Sequence, residues 1–148
     1  MANVKQLTIV HDMAHKKEQD ALKVFSQAQQ QLNQLKEQME SLVQYKQDYL
    51  AQMKPENIHQ VSADKLIRLQ GFLAQIDQSI FQQRDVIAKA SLAVDARRDT
   101  WAKAKKYADS IVFLIDKQNK EAFLKEEKQQ QKMADEFAMI SHHRKRQH

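Results

Sequence analysis

Apolar residues recur at alternating steps of three and four along almost the whole chain. In the second half the series is Leu66, Leu69, Leu73, Ile76, Ile80, Ile87, Ala90, Val94, Trp101, Ala104, Ala108, Ile111 and Ile115. Gln83 and Arg97 are the polar members of that stripe. In the first half it is Leu7, Ala14, Ala21, Phe25, Ala28, Leu32, Leu35, Met39, Leu42, Tyr49 and Met53. This spacing is the a/d seam of a coiled coil, held for about seven heptads in the longer series. Between the two series stands Lys54-Pro55-Glu56-Asn57-Ile58-His59-Gln60-Val61. Pro55 cannot continue a helix, because its ring clashes with the preceding turn and it has no N–H to donate. Ser62 suits the N-cap of the next helix, with Asp64 favoured by the positive end of its dipole.

The pattern predicts an all-α fold: two long helices in an antiparallel coiled-coil hairpin with an unpaired C-terminal helical overhang. The expected bounds are about 3–53 for helix one, 54–61 for the loop, 62–140 for helix two and 141–148 for a basic, disordered tail. All of 1–148 is read as a single elongated domain. At a rise of ~1.5 Å per residue the arms measure about 75 Å and about 115 Å. A loop centred on residue 57 places Phe25 near Ala90, Ala21 near Val94, Ala14 near Trp101 and Leu7 near Ala108. Large residues then oppose small ones. About thirty C-terminal residues are left without an intramolecular partner at that register. They still carry Phe113, Leu114, Phe123, Leu124, Met133, Phe137, Met139 and Ile140. A solvated helix has little use for such side chains, so a docking surface for another protein is expected; self-association or fraying is the plainer alternative.

Composition supports this picture and narrows the chemistry. The 148 residues include one glycine, Gly71, and one proline. Most of the rest are good helix formers. Cysteine is absent, which removes disulfide and thiolate chemistry and fits a reducing compartment. The N-terminal decapeptide lacks the apolar core of a signal peptide, and no apolar run is long enough to span a bilayer. The net charge of +5 is unevenly placed: residues 1–96 hold 11 Lys/Arg and 11 Asp/Glu, whereas residues 97–148 hold 13 and 8. The excess in the last third suits an acidic protein surface, anionic lipid or nucleic acid.

Catalytic and metal-binding patterns are weak. His11 and His15 have the i, i+4 spacing of a zinc pair, but Asp12 points elsewhere and no third ligand is evident, so a solvated pair is expected. His142, His143 and His148 accompany Arg144, Lys145 and Arg146 in the tail. The carboxylates alternate with lysines on helix faces, and there is no glycine-rich phosphate loop or activated nucleophile. The reading is of a protein that is not an enzyme, with no cofactor and no metal. Trp101 lies on the seam and reads as core. Its basic neighbours Arg97, Arg98, Lys103, Lys105 and Lys106 raise nucleic acid, but Asp99 and Asp109 dilute the charge, and no nucleic-acid partner is expected.

Two further stripes meet toward the loop end. Gln38, Leu42, Tyr45 and Tyr49 share one face of helix one, and Phe72, Ile76, Ser79 and Gln83 share one face of helix two. Tyr45 and Phe72 fit the seam poorly and should be partly exposed. Gly71 costs the helix about 1 kcal/mol relative to alanine, and its missing side chain leaves room for close approach by a partner or the other helix.

The chain resembles the flagellar export protein FliJ family over nearly its whole length. The likeness lies in the unequal hairpin, Tyr45 and Tyr49, Phe72, Trp101 with its basic followers, and the string Gln131-Lys132-Met133-Ala134-Asp135-Glu136-Phe137-Ala138 before a basic tail. The resemblance implies a soluble component of the flagellar type III export apparatus, cytoplasmic and peripheral to the inner membrane. Such proteins look like the central stalk of rotary ATPases. The implied partners are the export ATPase FliI, the export gate FlhA and export chaperones. For the gate, the resemblance implies Gln38, Leu42, Tyr45, Tyr49, Phe72, Ile76, Ser79 and Gln83. The ATPase ring is assigned to the overhang, at Phe123, Leu124, Lys132, Met133, Asp135, Glu136 and Phe137. The equivalent stalk of a virulence-type secretion system, or a generic coiled-coil scaffold or basic rod, are the alternative readings. The sequence predicts a monomeric hairpin, elongated by small-angle scattering; a compact particle, or a parallel dimer on crosslinking, would contradict it.

Overall fold

The computed structural model describes residues 3–59 and 61–147. Gln60 of the expected loop and His148 of the expected tail lie outside them. Helix α1 spans Val4–Gln52, a single-turn α2 spans Pro55–Ile58 and α3 spans Ala63–Gln147. No strand occurs among the described residues. The ends follow local chemistry. At the start of α1, the Gln6 amide donates to Asn3 Oδ1 at 2.8 Å and the Asn3 amide to Gln6 Oε1 at 3.4 Å, a reciprocal capping box. At the start of α3, the Lys65 amide donates to Ser62 Oγ at 3.2 Å, so Ser62 is the cap the sequence indicates.

Between the long helices the chain is more ordered than an open loop. The Met53 and Lys54 amides close onto the Leu50 and Ala51 carbonyls, and Pro55 then opens α2 at a position where its missing N–H costs nothing. At the other end, α3 continues past the expected stop at Ile140 through Gln147. No glycine or proline interrupts that stretch, and Arg144, Lys145 and Arg146 in the last turn suit the negative end of the helix dipole.

The described residues fall into two compact units: Gln19–Ala102, and the residues up to Glu18 together with those from Lys103 on. In each the core is one seam between α1 and α3. Its buried apolar members are Leu7, Ala14, Leu32, Leu69, Ile80, Val94, Ala108 and Ile111, every one of them on the two predicted stripes. Val94, at 2% exposure, is the most enclosed. The seam also takes polar residues that the stripes omit. Glu18 is buried and His11 and Lys46 are half-buried, filling the heptad steps between Leu7, Ala14 and Ala21 and between Leu42 and Tyr49. Arg97, placed on the stripe by spacing, is exposed.

The register within Gln19–Ala102 differs from the expected one. Phe25 stacks on Trp101, ring centroids 5.7 Å apart, and not over Ala90. Arg98 covers the same Phe25 ring at 5.6 Å. Nearer the connection, Tyr49 stacks on Phe72 at 6.0 Å and Lys46 Nζ meets Asp77 Oδ1 at 2.7 Å. All these pairs place α3 several residues farther along than a loop centred on residue 57 allows. The ring-on-ring contacts favour this register, being worth about 0.5–1.5 kcal/mol each beyond simple burial. The pairing of large with small residues, which put Ala14 opposite Trp101 and Ala21 opposite Val94, rested on the rejected register.

Gly71 is exposed, and a Cβ built on it would meet nothing within 4 Å. The other helix therefore does not use its missing side chain. Gly71→Ala should raise unfolding free energy by about 1 kcal/mol, while Leu32→Ala should lower it by about 2–3 kcal/mol, because its cavity opens toward solvent and can partly collapse. Urea melts followed by far-UV circular dichroism would read both; a destabilised Gly71→Ala would mean that the backbone there is approached more closely than the structure shows.

Candidate functional site

The aromatic stripes do converge within Gln19–Ala102. The seam spacing carries Tyr49 inward, where it is half-buried, and its ring lies against Phe72 with 25° between planes. Tyr45, one turn earlier on α1, stays 58% exposed, and Phe72 is 49% exposed. Tyr45, Tyr49, Phe72, Ile76 and Ser79 line one groove of about 320 Å³, with Gln75 completing its wall. Five of the eight residues assigned to the gate surface thus share one concavity. Gln38 and Gln83 form a separate polar clasp. Gln83 Nε2 donates to the Leu35 carbonyl at 3.0 Å and to Gln38 Oε1 at 3.3 Å. Leu42 is half-buried on the seam and is not part of the wall of that groove.

The Tyr49–Phe72 stack is also a wall of a second concavity, of about 440 Å³, closed by Gln52, Lys65, Arg68 and Leu69. Sequence reasoning missed these four. The signal was present in Lys65 and Arg68, which precede Phe72 by seven and four positions and so share its face of α3. The surface is therefore an aromatic ridge flanked by an uncharged groove of mixed polar and apolar lining and by a basic one. Its walls are stable because they belong to helices packed on each other. The Lys46–Asp77 ion pair beside them is partly exposed and adds at most about 1 kcal/mol.

The second candidate surface lies on α3 beyond the seam. Every residue from 119 to 140 is exposed, as an unpaired overhang requires. Phe123 is 65%, Met133 68% and Phe137 74% exposed. Helical periodicity places these three on one face, with Ile140. Glu136 borders that face, three residues after Met133 and four before Ile140, whereas Lys132 and Asp135 fall farther around the helix. Leu124 lines a shallow depression with Glu121, Lys125, Glu127, Lys128 and Gln131, apart from the Phe123 face.

The N-terminal histidines form a local cluster. Their rings stack at 5.9 Å. His15 Nδ1 lies 3.7 Å from the buried Glu18, and His11 Nδ1 lies 3.5 Å from Asp12, so Asp12 turns toward its neighbour and not away from it as expected. Among the described residues no group of three His, Asp or Glu side chains is placed to hold a metal ion. No described helix is long and apolar enough to cross a membrane.

Comparison with known proteins agrees with the resemblance read from the sequence. The family model described as Flagellar FliJ protein matches residues 3–147. A Flagellar FliJ protein of Salmonella typhi is 26% identical over 145 residues, covering 98% of this chain and 99% of its own length. The Flagellar FliJ protein of Escherichia coli (strain K12) matches with the same identity and coverage.

The geometry predicts that Tyr45→Ala changes unfolding free energy by no more than about 0.5 kcal/mol, since its ring is largely in solvent. Phe72→Ala should cost about 1 kcal/mol through loss of the stack on Tyr49, with helix content unchanged. Chemical melts of the two variants decide this; a large loss for Tyr45→Ala would make that residue core.

Proposed function

The chain belongs to the flagellar FliJ family, and from that membership we propose that it is the coupling component of the flagellar protein export apparatus. In this reading it hydrolyses nothing. It docks by the overhang of α3 into the ring of the export ATPase FliI, presents the aromatic ridge to the export gate FlhA, and binds export chaperones. Its place is cytoplasmic, held at the inner membrane only through those partners.

One observation carries the reading: the uninterrupted exposure of residues 119–140 with Phe123, Met133 and Phe137 on one helical face. Burying one such side chain is worth roughly 1.5–3 kcal/mol, so a partner that encloses this face gains most of its affinity there. The excess positive charge of residues 97–148 adds a salt-sensitive attraction to an acidic pore. At the other surface, Tyr45 and Phe72 offer large, rigid apolar area with little conformational entropy to lose, the kind of side chain that dominates protein interfaces. Coupling follows if one ligand changes the affinity for the other, because each partner's binding free energy then depends on the other's presence.

Removal of the residues after Asn119 is expected to abolish stimulation of FliI ATPase activity at physiological salt while the paired part of the helices still melts cooperatively. Tyr45→Ala is expected to weaken FlhA binding and leave that stimulation intact. ATPase assays and pull-downs with purified partners separate the two surfaces. Stimulation that survives the truncation would show that the ring grips another part of the chain.

A further inference from the structure

The basic groove beside the aromatic ridge has no assigned role. It is walled by the Tyr49 and Phe72 rings and floored by Leu69, and it is completed by Lys65 and Arg68. In the same unit Lys46 meets Asp77 at 2.7 Å, Lys89 meets Asp85 at 3.0 Å and Arg98 meets Asp95 at 3.2 Å, while the remaining cations form no ion pair among the described residues; Lys65 and Arg68 are the unpaired ones that line this groove. Asp64 is a helix turn away from Arg68 at the favourable i, i+4 spacing, yet the two remain apart. Two unneutralised cations therefore border an apolar cleft, while the groove on the far side of the same ring stack, between Tyr45 and Ser79, contains no charged side chain.

From this asymmetry we propose that the ridge docks an acidic segment of its partner, with an apolar side chain against Tyr45 and Ile76 and a carboxylate held between Lys65 and Arg68. The inference rests on the ridge being the gate-binding surface and specifies the chemistry that surface selects. The geometry sets the spacing. Tyr45 and Gln52, which mark the two grooves, are seven residues apart on α1, about 10 Å along its axis. An extended segment advances about 3.3 Å per residue, so the acidic residue stands about three positions from the apolar one. The guanidinium of Arg68 offers a planar fork to a carboxylate, and Lys65 adds a mobile point charge. Both contacts are at a solvent-exposed rim, so they favour encounter and discriminate among partners more than they hold the complex together.

The test uses the full-length chain and purified, detergent-solubilised FlhA in titrations at low and at high salt. The neutral double variant Lys65→Gln/Arg68→Gln is expected to bind about tenfold more weakly than wild type at low salt and to lose most of the salt dependence that wild type shows. The charge-conserving double variant Lys65→Arg/Arg68→Lys should stay close to wild type. Tyr45→Ala, run in parallel, should weaken binding at both salt concentrations. Wild-type affinity in the neutral variant, with Tyr45→Ala impaired, would overturn the acidic-segment inference and leave the ridge as the gate surface. Equal losses in the neutral and charge-conserving variants would overturn it as well. Wild-type binding by Tyr45→Ala and Phe72→Ala would remove the gate reading itself, and the inference with it.

Discussion

In each compact unit, a seam between two helices supports everything else. A helix buries a single stripe against a single neighbour, so no residue has a second layer behind it. Even the best-packed positions show the limit, since among the described residues only Val94 approaches full enclosure. Stability is correspondingly spread over many small increments of burial. The compensation is surface. A chain that encloses so little keeps most of its side chains available, and its grooves are walled by the same helices that form its core.

A long, regular seam has a weakness, because it can slide by a heptad and still match apolar to apolar. The features that resist sliding are the irregular ones. The Phe25–Trp101 and Tyr49–Phe72 stacks each need a particular pair of large rings opposite each other. Gln83 is a further restraint. Its amide sits on the seam and is satisfied by the Leu35 carbonyl and by Gln38. A shifted register would leave that amide half-buried without partners, at a cost of about 1–3 kcal/mol. The polar interruption of the apolar stripe thus specifies alignment where leucine would not.

The helices, their break and their buried faces were legible in the sequence, because a period of 3.5 sustained over many turns fits a supercoiled helix and neither a strand nor a globular helix. Pro55, Ser62 and the stripe residues from Leu7 to Ile111 behave as local rules dictate. Register was not legible. It depends on the path of the connection and on which rings meet, and neither the α2 turn nor the Phe25–Trp101 stack is encoded in spacing. At the candidate site the aromatic members Tyr45, Tyr49 and Phe72 stood out as misfits or as a repeated residue type. Lys65 and Arg68 did not, because a charged residue on an outer helix face carries no signal until the cavity beside it is seen. The buried Glu18 was hidden for the opposite reason: a carboxylate is the last residue type expected on a seam.

The overhang of α3 has one more consequence, which concerns how it comes to be a helix at all. Starting a helix is the unfavourable step, because an isolated segment must fix several residues to form its own first turn. Residues 119–140 are spared that step. They continue a helix whose preceding turns are already fixed at Ala108 and Ile111 on the seam, so each added residue needs only propagation. Its order is therefore borrowed from the seam and declines toward the C-terminus by fraying. Any change that loosens the seam near Ala108 dissolves the nucleus and shortens the ordered overhang, even though no residue of the overhang has been touched.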